Sequence, residues 1–132
     1  MEKPKTAKVL IVDDMDMILF VIKDQLLRYG LQVDTAAGGS EAVEKTKHNV
    51  YDLVFMDHLM PEMDGIEAAK EIRKREDAEH KHIPIIALTS NIDSEAEKMF
   101  LSAGFNGFLA KPVAKPKLEE ILKKWLPGTV RP

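Results

Sequence analysis

The sequence predicts an α/β fold, a single domain built on a doubly wound, five-stranded parallel sheet with helices on both faces. Three observations lead there. Short apolar runs rich in Val, Ile and Leu alternate with longer segments of helical periodicity. The alternation repeats five times as βα units. Polar residues able to do chemistry stand directly after the apolar runs, where a parallel sheet gathers its functional groups.

The predicted strands are Lys8 to Val12, Gln32 to Ala36, Asp52 to Met56, Ile85 to Leu88 and Gly107 to Leu109. The first, third and fourth are almost wholly apolar and suit central positions; the second and fifth are mixed and suit less buried ones. The helices are read from their ends. The first runs from Asp16 to Tyr29 and Gly30 closes it in a left-handed cap. Its stripe of Ile18, Val21, Ile22, Leu26 and Tyr29 is expected to pack on the sheet, leaving Met15, Leu19 and Phe20 outside. Ser40 is expected to cap the second helix. Asp64-Gly65-Ile66-Glu67 and Ser94-Glu95-Ala96-Glu97 have capping-box spacing and open the third and fourth. Pro116 fits the first turn of a last helix that runs to Leu126 and stops at Pro127-Gly128.

A chain of 132 residues has room for one hydrophobic core, so a single domain over residues 8–126 is expected between frayed tails at residues 1–7 and 127–132. Hydrophobic residues at 45% and charged residues at 31% fit a soluble protein. The net charge of −3 and interspersed signs leave no basic face, so no direct nucleic-acid contact is expected. The absence of cysteine excludes disulfides, thiolate metal sites and thiol catalysis, and fits a reducing, cytoplasmic compartment. The longest apolar stretch, Met17 to Ile22, is far too short to span a bilayer, and no membrane contact from this chain is expected.

At the strand ends, Asp13 and Asp14 follow the first apolar run, Asp57 the third, Thr89 the fourth, and Lys111 comes just after the fifth. Three carboxylates brought together repel one another, and a hard divalent cation with oxygen ligands, Mg²⁺ above all, relieves that. A lysine and a hydroxyl across the same pocket complete a cage for a phosphoryl group. Asp57 is then the nucleophile, a carboxylate ionised at neutral pH that attacks phosphorus without a general base.

Val12-Asp13-Asp14, Met56-Asp57 through Asp64-Gly65, Ile86-Ala87-Leu88-Thr89 and Lys111-Pro112 closely resemble the landmarks of response-regulator receiver domains, the CheY-like phosphoacceptors of two-component and phosphorelay signalling. The resemblance covers essentially Lys8 to Leu126. It implies a flavodoxin-like (βα)₅ fold with strand order 2-1-3-4-5, and phosphorylation on Asp57. It implies Mg²⁺ held by Asp14, Asp57 and the main-chain carbonyl of Leu59, with Asp13 acting through water. Thr89 resembles the hydroxyl that moves toward the phosphoryl group, Lys111 the ion-pairing lysine, and Phe108 the aromatic that swings inward; the Lys111-Pro112 bond is expected to be cis. The implied partner is a histidine kinase or histidine phosphotransfer domain, docked on Met15, Leu19 and Phe20; the alternative uses of that surface are self-association as a weak homodimer and contact with a neighbouring domain. The Leu122 to Pro127 ending resembles receivers of hybrid histidine kinases. By the same resemblance the domain catalyses only its own phosphorylation and dephosphorylation. Leu59, two residues after Asp57, cannot orient an attacking water, which predicts a long-lived phosphoryl group, although Asn91 could partly do so.

Other readings are weaker on the residues themselves. Asp14-Met15-Asp16 imitates the paired-aspartate motif of haloacid-dehalogenase-like phosphatases, but Ile18 stands where those carry Thr or Val, and no late acidic motif follows. A receiver-like module that is never phosphorylated is hard to square with a complete set of landmarks. A flavin site lacks its Ser/Thr-rich loop after the first strand. His48, His58, His80 and His82 show no ligand spacing, and Trp125 reads as a packing anchor.

Overall fold

The computed structural model describes residues 6–75, 82–90 and 93–130. In chain order these form β1 (Lys8–Val12), α1 (Asp16–Leu27), β2 (Gln32–Ala36), α2 (Gly39–His48), β3 (Leu53–Asp57), α3 (Gly65–Arg73), β4 (Ile85–Thr89), α4 (Ser94–Ala103), β5 (Gly107–Ala110) and α5 (Lys115–Trp125). Asn91 and His80 lie outside the described residues.

All strand pairings are parallel, and the order is β2-β1-β3-β4-β5. Residue alternation along each strand divides the core. Leu10, Val12, Val54, Met56, Ile85 and Ala87 pack under α2, α3 and α4, while Val9, Ile11, Leu53, Phe55, Ile86 and Leu88 pack under α1 and α5. The three central strands are buried on both faces, which is why they read as unbroken apolar runs, and the mixed strands β2 and β5 are the edges. β3, β4 and β5 each run one residue further at the carboxyl end than the apolar runs suggest. Asp57 closes β3 and Thr89 closes β4, so both candidate side chains stand on ladder residues rather than in loops.

Four local expectations need correction. Leu19 is buried together with Ile22 and Leu26, whereas Val21 is 48% exposed. The residues of α1 are apolar on nearly every side, so periodicity alone cannot fix its phase; in the folded chain Leu19 joins the core cluster that also holds Leu118 and Leu122 of α5. The helix ends at Leu27, before Tyr29, although Gly30 does adopt the left-handed conformation, with φ of 76°. Ser40 is not the cap of α2: Gly38 holds that place, and Glu41 reaches back to accept from the Ala37 N–H. Ser94 is likewise inside α4, because the carboxylate of Asp93 accepts from the Ala96 N–H at 2.8 Å and starts the helix one residue earlier. Asp64 does cap α3, accepting from the Glu67 N–H at 2.9 Å.

Candidate functional site

β1, β3 and β4 end side by side, and their last residues build the site. Asp13 follows β1; its own backbone N–H donates to Ala36 O at 3.1 Å, and its carboxylate accepts from the Met15 N–H at 3.0 Å. Asp13 and Asp57 are buried and Asp14 is exposed, and the three offer carboxylate oxygens that all lie within 4.8 Å of one another. Across from them Lys111 places Nζ 3.0 Å from Asp57 Oδ1 and 3.3 Å from Asp13 Oδ2. The Lys111 N–H donates to the carbonyl of Thr89 at 2.9 Å, which ties the lysine to the buried hydroxyl residue at the end of β4. The Lys111-Pro112 peptide is cis, as the resemblance implies.

The β3–α3 connection is built around a glycine. A Cβ at Gly65 would stand 2.2 Å from the carbonyl oxygen of Asp57, so only glycine lets α3 start this close to the site. The Gly65 N–H donates to the carbonyl of His58 at 3.1 Å, and the Leu59 N–H points to Asp57 Oδ1 at 3.4 Å.

The electrostatics follow from three acids facing one base. Burial, reinforced by the neighbouring Asp57 charge, holds the Asp13 carboxyl above the usual range, although the Met15 N–H and Lys111 pull the other way. For Lys111 burial works against the charged form, but the hydrogen bond and charge of Asp57, then those of Asp13, outweigh it and raise its pKa. The donor set fits a hard divalent cation, being made of carboxylate oxygens only and carrying more negative charge than Lys111 can balance.

The family model described as response regulator receiver domain matches residues 9–123. The chain belongs to that family. Hybrid signal transduction histidine kinase L of Dictyostelium discoideum is 34% identical over 90% of this chain. The receiver spans 7% of that kinase, so it corresponds to one module of a far longer protein there. Among solved structures, the receiver domain of sensor histidine kinase PA1611 from Pseudomonas aeruginosa, with magnesium in its active-site cleft, superposes with TM-score 0.82 at 36% identity, covering 92% of this chain and 98% of that one. A chain of the Saccharomyces cerevisiae co-crystal of the histidine phosphotransfer protein Ypd1 and the receiver domain of Ssk1 gives TM-score 0.82 at 31% identity, covering 91% and 88%. Receivers are phosphoacceptor modules of two-component and phosphorelay systems rather than turnover enzymes, which removes the phosphatase reading.

Asp13, Asp14, Asp57, Thr89 and Lys111 therefore stand at one end of the sheet, as their positions after the apolar runs suggest. Phe108 lies on β5, half-buried and packed against the core beneath α2, α3 and α4. The expected docking set is brought together only in part. Met15 and Phe20 are 55% and 72% exposed, but Leu19 is in the core; Met17 and Val21, which the sequence reading left out, are exposed instead. Met17, Val21, Pro112 and Val113 line a groove of about 160 Å³ that has Lys111 in its wall. Among the described residues no helix is long and apolar enough to cross a membrane.

Proposed function

We propose that Asp57 accepts a phosphoryl group from the phosphohistidine of a helical partner, a histidine kinase or histidine phosphotransfer domain, and that no partner nucleic acid or membrane is contacted directly. The observation that carries this is the Asp57 carboxylate held between Lys111 and two further acids at the carboxyl end of the central strands. One Asp57 oxygen bonds to phosphorus as the phosphorus–nitrogen bond breaks, and the imidazole leaves with the electron pair. Lys111 neutralises charge on the phosphoryl oxygens, and Thr89 turns its hydroxyl toward one of them. Asp14, Asp57 and the Leu59 carbonyl would hold Mg²⁺, with Asp13 acting through water; the ion offsets the charge that the phosphoryl group brings. The protein works on itself alone, in the cytoplasm, with its chemistry confined to gain and loss of this one group. Acetyl phosphate labels the protein in Mg²⁺ and not in excess chelator; equal labelling in chelator overturns the assignment of the pocket.

Switching follows from the same site. Movement of Thr89 vacates space that the ring of Phe108 fills, and phenylalanine has no hydroxyl whose bond must be broken first. Leu59 is 69% exposed and gives an attacking water no partner, which supports a long phosphoryl lifetime. The donor must approach past the groove that shares Lys111 with the site, and the exposed Met15, Met17, Phe20 and Val21 offer its helix an apolar seat. Phe20→Arg abolishes transfer from the histidine donor and spares labelling by acetyl phosphate; if both persist, the seat lies elsewhere.

A further inference from the structure

The residue after Asp57 is half-buried, and its imidazole meets Phe100 of α4 edge-on, with ring centroids 5.0 Å apart and planes at 79°. Phe100 in turn meets Phe105, just before β5, at 5.6 Å and 65°. The helix carrying Phe100 is lightly anchored. Its buried residues are Ala96, Phe100 and Ala103, so a single large side chain seats α4 on the sheet, while Met99 and Leu101 face outward.

The backbone of His58 is held on two sides. Its N–H donates to Leu88 O at 3.2 Å, in the penultimate residue of β4, and its carbonyl accepts from the Gly65 N–H at 3.1 Å. A displacement at the Asp57–Thr89 end of these strands is therefore imposed on a residue whose ring already presses on the anchor of α4.

We propose that His58 is a positioning residue that carries the occupancy of Asp57 to helix α4 through the Phe100 ring, separately from the Thr89–Phe108 route. The proposal rests on Asp57 being the phosphoacceptor and adds a second output from it. The imidazole acts by shape, as an aromatic edge against a ring, and the coupling needs no change in its protonation.

The test uses beryllofluoride with Mg²⁺ as the phosphoryl probe, read by NMR at Thr89, Phe108 and Phe100 in the wild type, His58→Ala and His58→Phe. In the wild type all three residues shift. In His58→Ala the probe binds within about twofold of its wild-type affinity and Thr89 and Phe108 shift as before, while the Phe100 shift falls by more than half; His58→Phe restores it. A Phe100 response that survives in His58→Ala overturns the relay. So does a joint loss at Phe100 and Phe108 with binding intact, or failure of His58→Phe to restore the response. Matching probe-free spectra away from α4 show that the variants are folded. If the wild type gives no shift at Thr89, the phosphoacceptor reading itself falls, a result distinct from loss of the relay alone.

Discussion

Toward the amino ends of the strands, Lys8, Asp34, Asn49, Tyr51 and Asp52 form a network in which each charge meets an answering group. The Tyr51 hydroxyl donates to Asp34 Oδ2 at 2.7 Å, Lys8 Nζ stands 3.6 Å from the same atom and donates to Asn49 at 3.2 Å, and Asp52 accepts from the Lys8 N–H at 2.8 Å. At the carboxyl ends, three carboxylates face one lysine. The first arrangement is complete within the chain. Among the described residues the second is left with a surplus of negative charge, and this surplus, more than the presence of polar residues, marks the candidate functional end.

Removing the one cation should produce the largest change. Lys111→Met lowers the rate of labelling by acetyl phosphate by ~10²–10³-fold, the usual loss when one preorganised charge at a reacting group is deleted. A rate within a few-fold of wild type would show that Lys111 answers no charge that matters to transfer.

Relieving the surplus should instead stabilise the metal-free protein. Asp13 is raised by burial first and by Asp57 second, so its share of stability is full below the ordinary carboxylate pKa and is lost as pH rises through the higher folded value. Asp13→Asn lacks that loss. Thermal melts at neutral pH should show a gain in stability in chelator that shrinks at acid pH. A variant less stable than wild type at neutral pH would mean that Lys111 already balances the site.

The smallest effect belongs to the balanced end. Burial, then Asp34, pushes the Tyr51 phenol well above its ordinary pKa, so the hydroxyl keeps its proton and donates throughout the neutral range. Tyr51→Phe should lose ~1 kcal/mol in denaturant melts and leave the labelling rate unchanged. A fall in labelling would break the separation between the two ends.

Most of the site was legible because its residues follow apolar runs that can only be central strands; Asp57 and Thr89 needed no knowledge of tertiary contacts to be found. The phase of α1 was not legible. Leu19 and Val21 are both apolar, and which one is buried is settled only in the assembled core, where Leu19 joins residues of β1, β3, β4 and α5. The caps at Gly38 and Asp93 were missed because Ser40 and Ser94 satisfy the same local rule one or two residues later. His58 shows no ligand spacing in the sequence, and its signal, the packing on Phe100, exists only once α4 is folded onto the sheet.

The account turns on Asp57 being the group that takes the phosphoryl, and the mass of the intact protein tests this most directly. Wild type incubated with acetyl phosphate and Mg²⁺ should gain a single phosphoryl group, and Asp57→Asn should gain none while its probe-free spectrum stays native. Labelling of Asp57→Asn to the wild-type extent would contradict the account.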